Sequence, residues 1–247
     1  MKKSIISSFS SVSLWTAISR VFGLVRDIAT TSLLGASFLH DIFVVVLKIP
    51  NLFRRFFAEG AFSQAFIPVY SKYVEEKNKP DQDLFLHNLF SRLFIALTVF
   101  TVLVIFLAPF FIFLFAPGFY LDETKKDIAI ISLKIMFPYL GLISLVAFAA
   151  GIQNTHTKFA VPAGTPIIFN VSLILAAIFI APYYDIPIIS LAWAVLIAGL
   201  IQVILNFYML YRLDRFPKFK YTKDHPGVKK VFKIMIPALI AGGVTQL

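Results

Sequence analysis

The sequence predicts an all-α polytopic membrane protein: six transmembrane helices of one lobe, then the start of a seventh. Two observations carry this. Of 247 residues, 59% are hydrophobic and only 15% charged, 28 are phenylalanine, and mean hydropathy is +0.84. A soluble domain is nearer half apolar and a quarter charged, and one of this size could not hide so much apolar surface. The apolar residues also fall in runs of bilayer-spanning length separated by short polar connections. There is no cysteine, so disulfide frameworks and thiolate metal sites are excluded.

Each element follows from apolar length and its punctuation. The start, Met1-Lys2-Lys3, has the charge of a signal peptide, but a serine-rich stretch and Arg20 follow instead of a clean apolar core and a small-residue cleavage site. It reads as a retained helix 1, about residues 5–34, stopped at Gly35. Helix 2 runs from about Phe38 to Tyr73, with a kink expected near Ile49–Asn51 because Pro50 lacks an N–H. Residues 75–83 (EEKNKPDQD) are expected as a polar loop. Helix 3 covers about 84–115, and residues 116–127 form a loop opened by Pro117-Gly118. Helix 4 covers about 128–153 with Pro138 inside. Helices 5 and 6 cover about 160–181 and 186–211, joined by 182–185. The domain division is then residues 1–211 as a six-helix lobe, 212–230 as a basic cytoplasmic loop, and 231–247 as the start of helix 7. That last segment is at the short limit for a span, so the sequence reads as the N-terminal part of a longer protein.

The formal charge of +10 is explained by topology. With the N-terminus cytoplasmic, the inner connections collect Lys2, Lys3, Lys72, Lys77, Lys79, Lys158 and the cluster from Arg212 to Lys230. Nucleic-acid binding is therefore not expected. Contact between Arg212–Lys230 and anionic lipid headgroups is.

The charges inside helices 1 and 2 need another account, because ionisable groups at membrane depth are costly and face a protein interior or a wet cavity. On helix 1, Ser19, Arg20, Arg26 and Asp27 share a sector of about 120°, with Gly23 on the same side. On helix 2, Lys48, Asn51, Arg55 and Glu59 share about 80°, with Arg54 beside them and Asp41 near the outer end. The stripe holds Arg20, Arg26, Lys48, Arg54 and Arg55 against Asp27, Asp41 and Glu59. The cationic surplus points to an anionic ligand, and arginine's planar fork suits phosphate oxygens. The structural alternative is that Arg54 and Arg55 snorkel and that Arg55–Glu59 and Arg26–Asp27 merely pair.

Other features carry less. His40 beside Asp41 reads as interfacial, and His87, His156 and His225 lack metal-ligand spacing. Asn170-Val-Ser172 matches a glycosylation pattern but lies inside helix 5. Pro138, Pro162, Pro166 and Pro237 read as ordinary membrane-helix prolines. Lys134–Pro138 and Lys233–Pro237 are alike, but on helices that would run in opposite directions. There is no Ser/His/Asp set, HExxH, glycine-rich phosphate loop or acidic metal cluster. No enzyme activity and no cofactor are expected.

The residues Ser19-Arg-Val-Phe-Gly-Leu-Val-Arg-Asp27, Asp41-Ile-Phe43 and the run Lys48-Ile-PNLFRRFFAEGAFSQAFIP to Pro68, with Ala116-Pro-Gly-Phe119 and Phe137-Pro-Tyr139, closely resemble the MurJ (MviN) family. The resemblance extends over the whole chain. It implies the fold of the multidrug/oligosaccharidyl-lipid/polysaccharide exporters, two six-helix lobes around a central cavity and two further helices, of which this chain supplies the first lobe. It implies a lipid II flippase of bacterial peptidoglycan synthesis in the cytoplasmic membrane, working by alternating access and powered by membrane potential or an unidentified coupling ion. By the same resemblance Arg20, Arg26 and Arg54 match cavity arginines, Asp41 an outer acidic position, and Ser19, Asp27, Asn51, Arg55 and Glu59 cavity-lining or gate positions. The alternatives are an exporter of another lipid-linked glycan, or an inactive or scaffolding fragment of a flippase.

Overall fold

The computed structural model describes residues 2–221 and 225–244; the side chains at 2–11, 56–59 and 241–244 lie outside that description. The regular structure of the described residues is all helical: α1 (Lys2–Leu34), α2 (Phe38–Arg54), a π-helical stretch (Arg55–Phe62), α3 (Ser63–Glu76), α4 (Lys79–Phe106), α5 (Ala108–Phe115), α6 (Glu123–Met136), α7 (Pro138–Thr155), α8 (Ala160–Phe179), α9 (Pro187–Arg212) and α10 (Pro226–Val244). Four passages among the described residues are long and apolar enough to cross a membrane: α4, α6–α7, α8 with the turn after it, and α9. The polar stripe read from the sequence lies instead in α1, α2 and the π-helical stretch.

Several boundaries differ from the sequence expectation, each for a local reason. The polar loop expected at 75–83 is almost all helix. Asn78 caps α4 by accepting the Asp81 N–H at 3.0 Å, and Pro80 occupies its first turn, where no N–H is needed. The helix expected over 84–115 breaks at Leu107, before Pro109, and the one expected over 128–153 breaks at Phe137, before Pro138. The loop expected at 116–127 holds a short 3₁₀ turn, Pro117–Leu121, and the cap of α6, Asp122, which accepts the Lys125 N–H. Helix α10 starts at Pro226, within the stretch expected as loop, and buries Val228 and Val231.

The kink expected at Pro50 is also displaced. Helix α2 runs regularly through Pro50 to Arg54, and the helical type changes only at Arg55–Phe62. Gly60 permits this: a Cβ there would lie 2.8 Å from the Arg55 carbonyl oxygen. A π turn accommodates one extra residue, and such turns concentrate at functional sites.

Two apolar cores hold the bundle. The first joins α2, α5, α6, α8 and α9 through Ile42, Val46, Ile112, Leu133, Phe137 and Leu191. The second joins α3, α4, α7, α9 and α10 through Phe66, Phe85, Leu89, Phe148, Leu210 and Val231. Phe66, Tyr70, Phe85 and Tyr73 stack in sequence through the second core. On the outside, α4 presents Phe94, Val99, Val102 and Phe106, and α9 presents Ile197, Leu200, Ile204 and Tyr208, all exposed. Such continuous apolar ridges fit lipid as their solvent.

Helix α9 crosses α7 closely at Gly199, where a Cβ would meet Tyr139 Cδ2 at 2.8 Å and Leu142 Cδ1 at 2.9 Å. Gly199→Leu should cost about 1–3 kcal/mol by overpacking this crossing, read as the shift in equilibrium unfolding in mixed micelles; a variant as stable as the parent would show that the crossing is slack. At one end of the bundle the Tyr70 hydroxyl and His156 Nε2 share a hydrogen bond of 3.0 Å. Burial lowers the His156 pKa, and the nearby Arg215 lowers it further. A depressed histidine pKa contributes stability above the unfolded value near 6.5 and loses it as pH falls through that value. The parent should therefore lose stability between pH 7.5 and 5, and His156→Gln should lose less; equal losses in thermal melts would contradict this.

Candidate functional site

Helices α1 and α2 follow each other in sequence but scarcely touch, because α1 packs along α8 and α2 against α6 and α7. The space left between them is a cavity of about 1080 Å³. It is lined by Gly23, Arg26 and Asp27 from α1, His40, Lys48, Asn51 and Arg54 from α2, and Arg55 from the π turn, with α7, α8 and Gln202 of α9 opposite. Asp27 is the one carboxylate among the described lining residues, against three arginines and a lysine.

Arg26 is firmly held. Its Nη2 and Nε donate to Asp27 Oδ1 at 2.6 and 3.0 Å, and its Nη1 donates to Asn170 Oδ1 on α8 at 3.0 Å. The guanidinium also lies over the Phe169 ring, 5.8 Å from the centroid. Asn170 Nδ2 in turn donates to the Ser19 carbonyl at 3.1 Å, so a single amide joins α1 to α8 at two points.

The opposite wall is uncharged and largely apolar, and a buried polar network braces it. Gln153 Nε2 donates to Asn206 Oδ1, Asn206 Nδ2 donates to Thr165 Oγ1, and Gln202 Nε2 donates to the Thr165 carbonyl, at 2.9–3.0 Å. All four side chains are buried. This network ties α7, α8 and α9 together, and Thr165 and Gln202 also face the cavity.

The cavity gathers five of the nine sequence-predicted site residues: Arg26, Asp27, Asn51, Arg54 and Arg55. Ser19 takes part through its backbone carbonyl. Arg20 and Asp41 are exposed and outside the cavity lining. The Glu59 side chain lies outside the described residues. Sequence reasoning missed Asn170, dismissed as a stray glycosylation pattern, and the group of Gln153, Thr165, Gln202 and Asn206. Their signal was present: carboxamides deep in apolar spans are costly unless hydrogen-bonded. His40, expected at an interface, lines the cavity, and its Nδ1 is buried without a hydrogen-bond partner among the described residues.

The profile of a family described as Lipid II flippase MurJ matches residues 30–247, most of the chain. The chain belongs to the MurJ family. A Burkholderia cenocepacia protein named Lipid II flippase MurJ is 38% identical over 241 residues, covering 96% of this chain and 47% of the relative. A Buchnera aphidicola protein, from the Acyrthosiphon pisum subspecies, is named as a probable lipid II flippase MurJ. It is 38% identical over 237 residues, covering 96% of this chain and 46% of its own length. A solved MurJ structure, described as a lipid II flippase in an inward closed conformation, superposes with a TM-score of 0.77 at 28% identity, over 95% of this chain and 48% of that one. The chain thus spans about half the length of the MurJ proteins it matches.

Asn170→Leu should cost about 1–3 kcal/mol, because it removes both the Arg26 acceptor and the donor to Ser19 from a partly buried site. Equilibrium unfolding measures the loss. Asn170→Asp, which keeps the acceptor for Arg26, should recover part of it; a leucine variant as stable as the parent would mean that α1 is held by packing alone.

Proposed function

We propose that this chain forms one lobe of a lipid II flippase, carrying the lipid-linked peptidoglycan precursor from the inner to the outer leaflet of the bacterial cytoplasmic membrane. The observation that supports it most is the sign of the cavity: Arg26, Lys48, Arg54 and Arg55 line it with one described carboxylate between them. A diphosphate placed there would meet guanidinium forks, and its charge would be neutralised along a path where an unpaired anion is prohibitively costly. The polyprenyl tail stays in lipid while the headgroup occupies the cavity.

The mechanism we propose is alternating access, with residues 1–211 as one lobe rocking against a second and the N-terminus cytoplasmic. The lysine and arginine bias of the connections supports that orientation. In this reading Arg20, Asp41 and Glu59, like the cavity residues, belong to the transport path or its gates in other states of the cycle. A drug-cation exporter would call for net acidic charge in the cavity and fits it poorly.

The test is complementation in cells depleted of their own lipid II flippase, using the chain alone and the chain joined to the second half of the Burkholderia cenocepacia relative. Rescue by the joined form alone supports the one-lobe proposal. Rescue by neither, with both forms inserted, counts against it. In the rescuing form, Arg26→Ala and Arg54→Ala should each abolish growth support while leaving insertion intact. The corresponding lysine variants should retain part of it, since lysine keeps the charge and loses the fork. Alanine variants that grow like the parent would rule out the diphosphate clamp.

A further inference from the structure

The connection between α9 and α10 is not a free loop. From Arg215 to Tyr221 it has no regular secondary structure, and it is fastened along the first turns of α4. Arg215 donates to Asp83 Oδ1 at 3.1 Å and to Gln82 Oε1 at 2.9 Å. The Lys218 backbone N–H donates to His87 Nδ1 at 3.2 Å, and the Lys220 backbone N–H to Ser91 Oγ at 2.8 Å. The Phe216 ring meets Phe207 of α9 edge-on at 5.9 Å, and Phe219 meets Phe94 of α4 edge-on at 6.5 Å.

These fasteners use the main chain and the aromatic rings. They leave the Lys218 and Lys220 ammonium groups exposed and, among the described residues, without a carboxylate within ion-pair distance. Arg215 is occupied with Asp83; these two lysines are not. Phe219, 62% exposed, sits between them.

The depth of the strip identifies its partner. Its contacts climb α4 from Asp83 to Phe94, and Phe94 begins the exposed apolar ridge of that helix. From His87 to Phe94 the helix rises about 10 Å, and the polar layer on each side of a bilayer is about 5–8 Å thick. The strip therefore lies where apolar surface gives way to polar, with a phenylalanine pointing to the acyl side and two lysines at headgroup level. A lysine–aromatic–lysine alternation held rigid at that depth matches a phosphodiester carried on an acyl chain.

We propose that Lys218, Phe219 and Lys220 form a binding site for anionic phospholipid headgroups on the outer flank of the lobe, separate from the central cavity and independent of what that cavity carries. Because the strip is already ordered on α4, binding needs no folding of the loop and costs little conformational entropy.

The probe is phosphatidylglycerol, against phosphatidylcholine as the zwitterionic control. Lipid retention by the full chain is read by native mass spectrometry from mixed micelles. The parent should retain phosphatidylglycerol preferentially. Lys218→Gln and Lys220→Gln should each lower that preference about fivefold, the weight of one basic residue near an anionic surface. Arg212→Gln, outside the strip, should lower it less. Parent chain with no preference, or a Lys218→Gln/Lys220→Gln double variant that keeps the parent's preference with unchanged helicity, overturns the site. A second readout needs no loss of charge: Phe219→Trp in vesicles should be quenched more by brominated phosphatidylglycerol than by brominated phosphatidylcholine, and equal quenching overturns the proposal.

Discussion

An arginine inside an apolar bundle must be given partners, and the way Arg26 receives them shapes this lobe. Adjacent residues on a helix do not normally face each other, yet Asp27 curls back to accept from the Arg26 guanidinium, and Asn170 on α8 completes the set. The same Asn170 donates to the Ser19 carbonyl. Helix α1 is thereby committed to α8, seven helices later in sequence, instead of to α2, its neighbour along the chain. The gap between α1 and α2 is the cavity. The desolvation of one cation and the opening of the site are two consequences of a single set of hydrogen bonds.

The second wall is built on a different principle. Gln153, Thr165, Gln202 and Asn206 are uncharged and hydrogen-bond to one another across three helices. A network of this kind fixes relative rotation and register more than apolar packing would, since a shift of one helix by a residue would strand several buried polar groups at once. The cavity therefore faces a braced, neutral wall on α7–α9 and a cationic wall on α1–α2. Helix α1 gains its grip through α8, a member of the braced group, whereas α2 passes into the π turn and α3, which belong to the other core. Both cationic helices thus lean on the same block, α1 through α8 and α2 through its own buried face, and α2 alone continues into the second core.

Much of the helical order and the polar stripe was legible in the sequence, because helix formation in apolar runs is local and charges stand out against them. By period alone Arg26 and Asp27 could be placed on one face of helix 1, and Asn51 and Arg55 on one face of helix 2 with Arg54 beside them. The helix ends were less legible: Asn78 and Asp122 act as caps within stretches whose polarity reads as loop. Asn170 and the Gln153–Asn206 group were hidden for a deeper reason. Their partners lie 37 to 151 residues away, and no periodicity within one helix announces a carboxamide whose role is to bridge to another.

The α-helical period itself fails at Arg55. A spacing of four residues places Glu59 under Arg55 only while the helix holds its 3.6-residue turn; the π stretch Arg55–Phe62 breaks that count. Everything before it, including Lys48, Asn51 and Arg54, is rotated relative to everything after it compared with an unbroken helix. Gly60 is what makes the wide turn possible, since any side chain there would press on the Arg55 carbonyl. The cationic face of α2 thus points into the cavity while α3 keeps Phe66 and Tyr70 in the second core. The irregular turn thus joins the cavity-lining end of α2, itself seated in the first core, to α3 in the second.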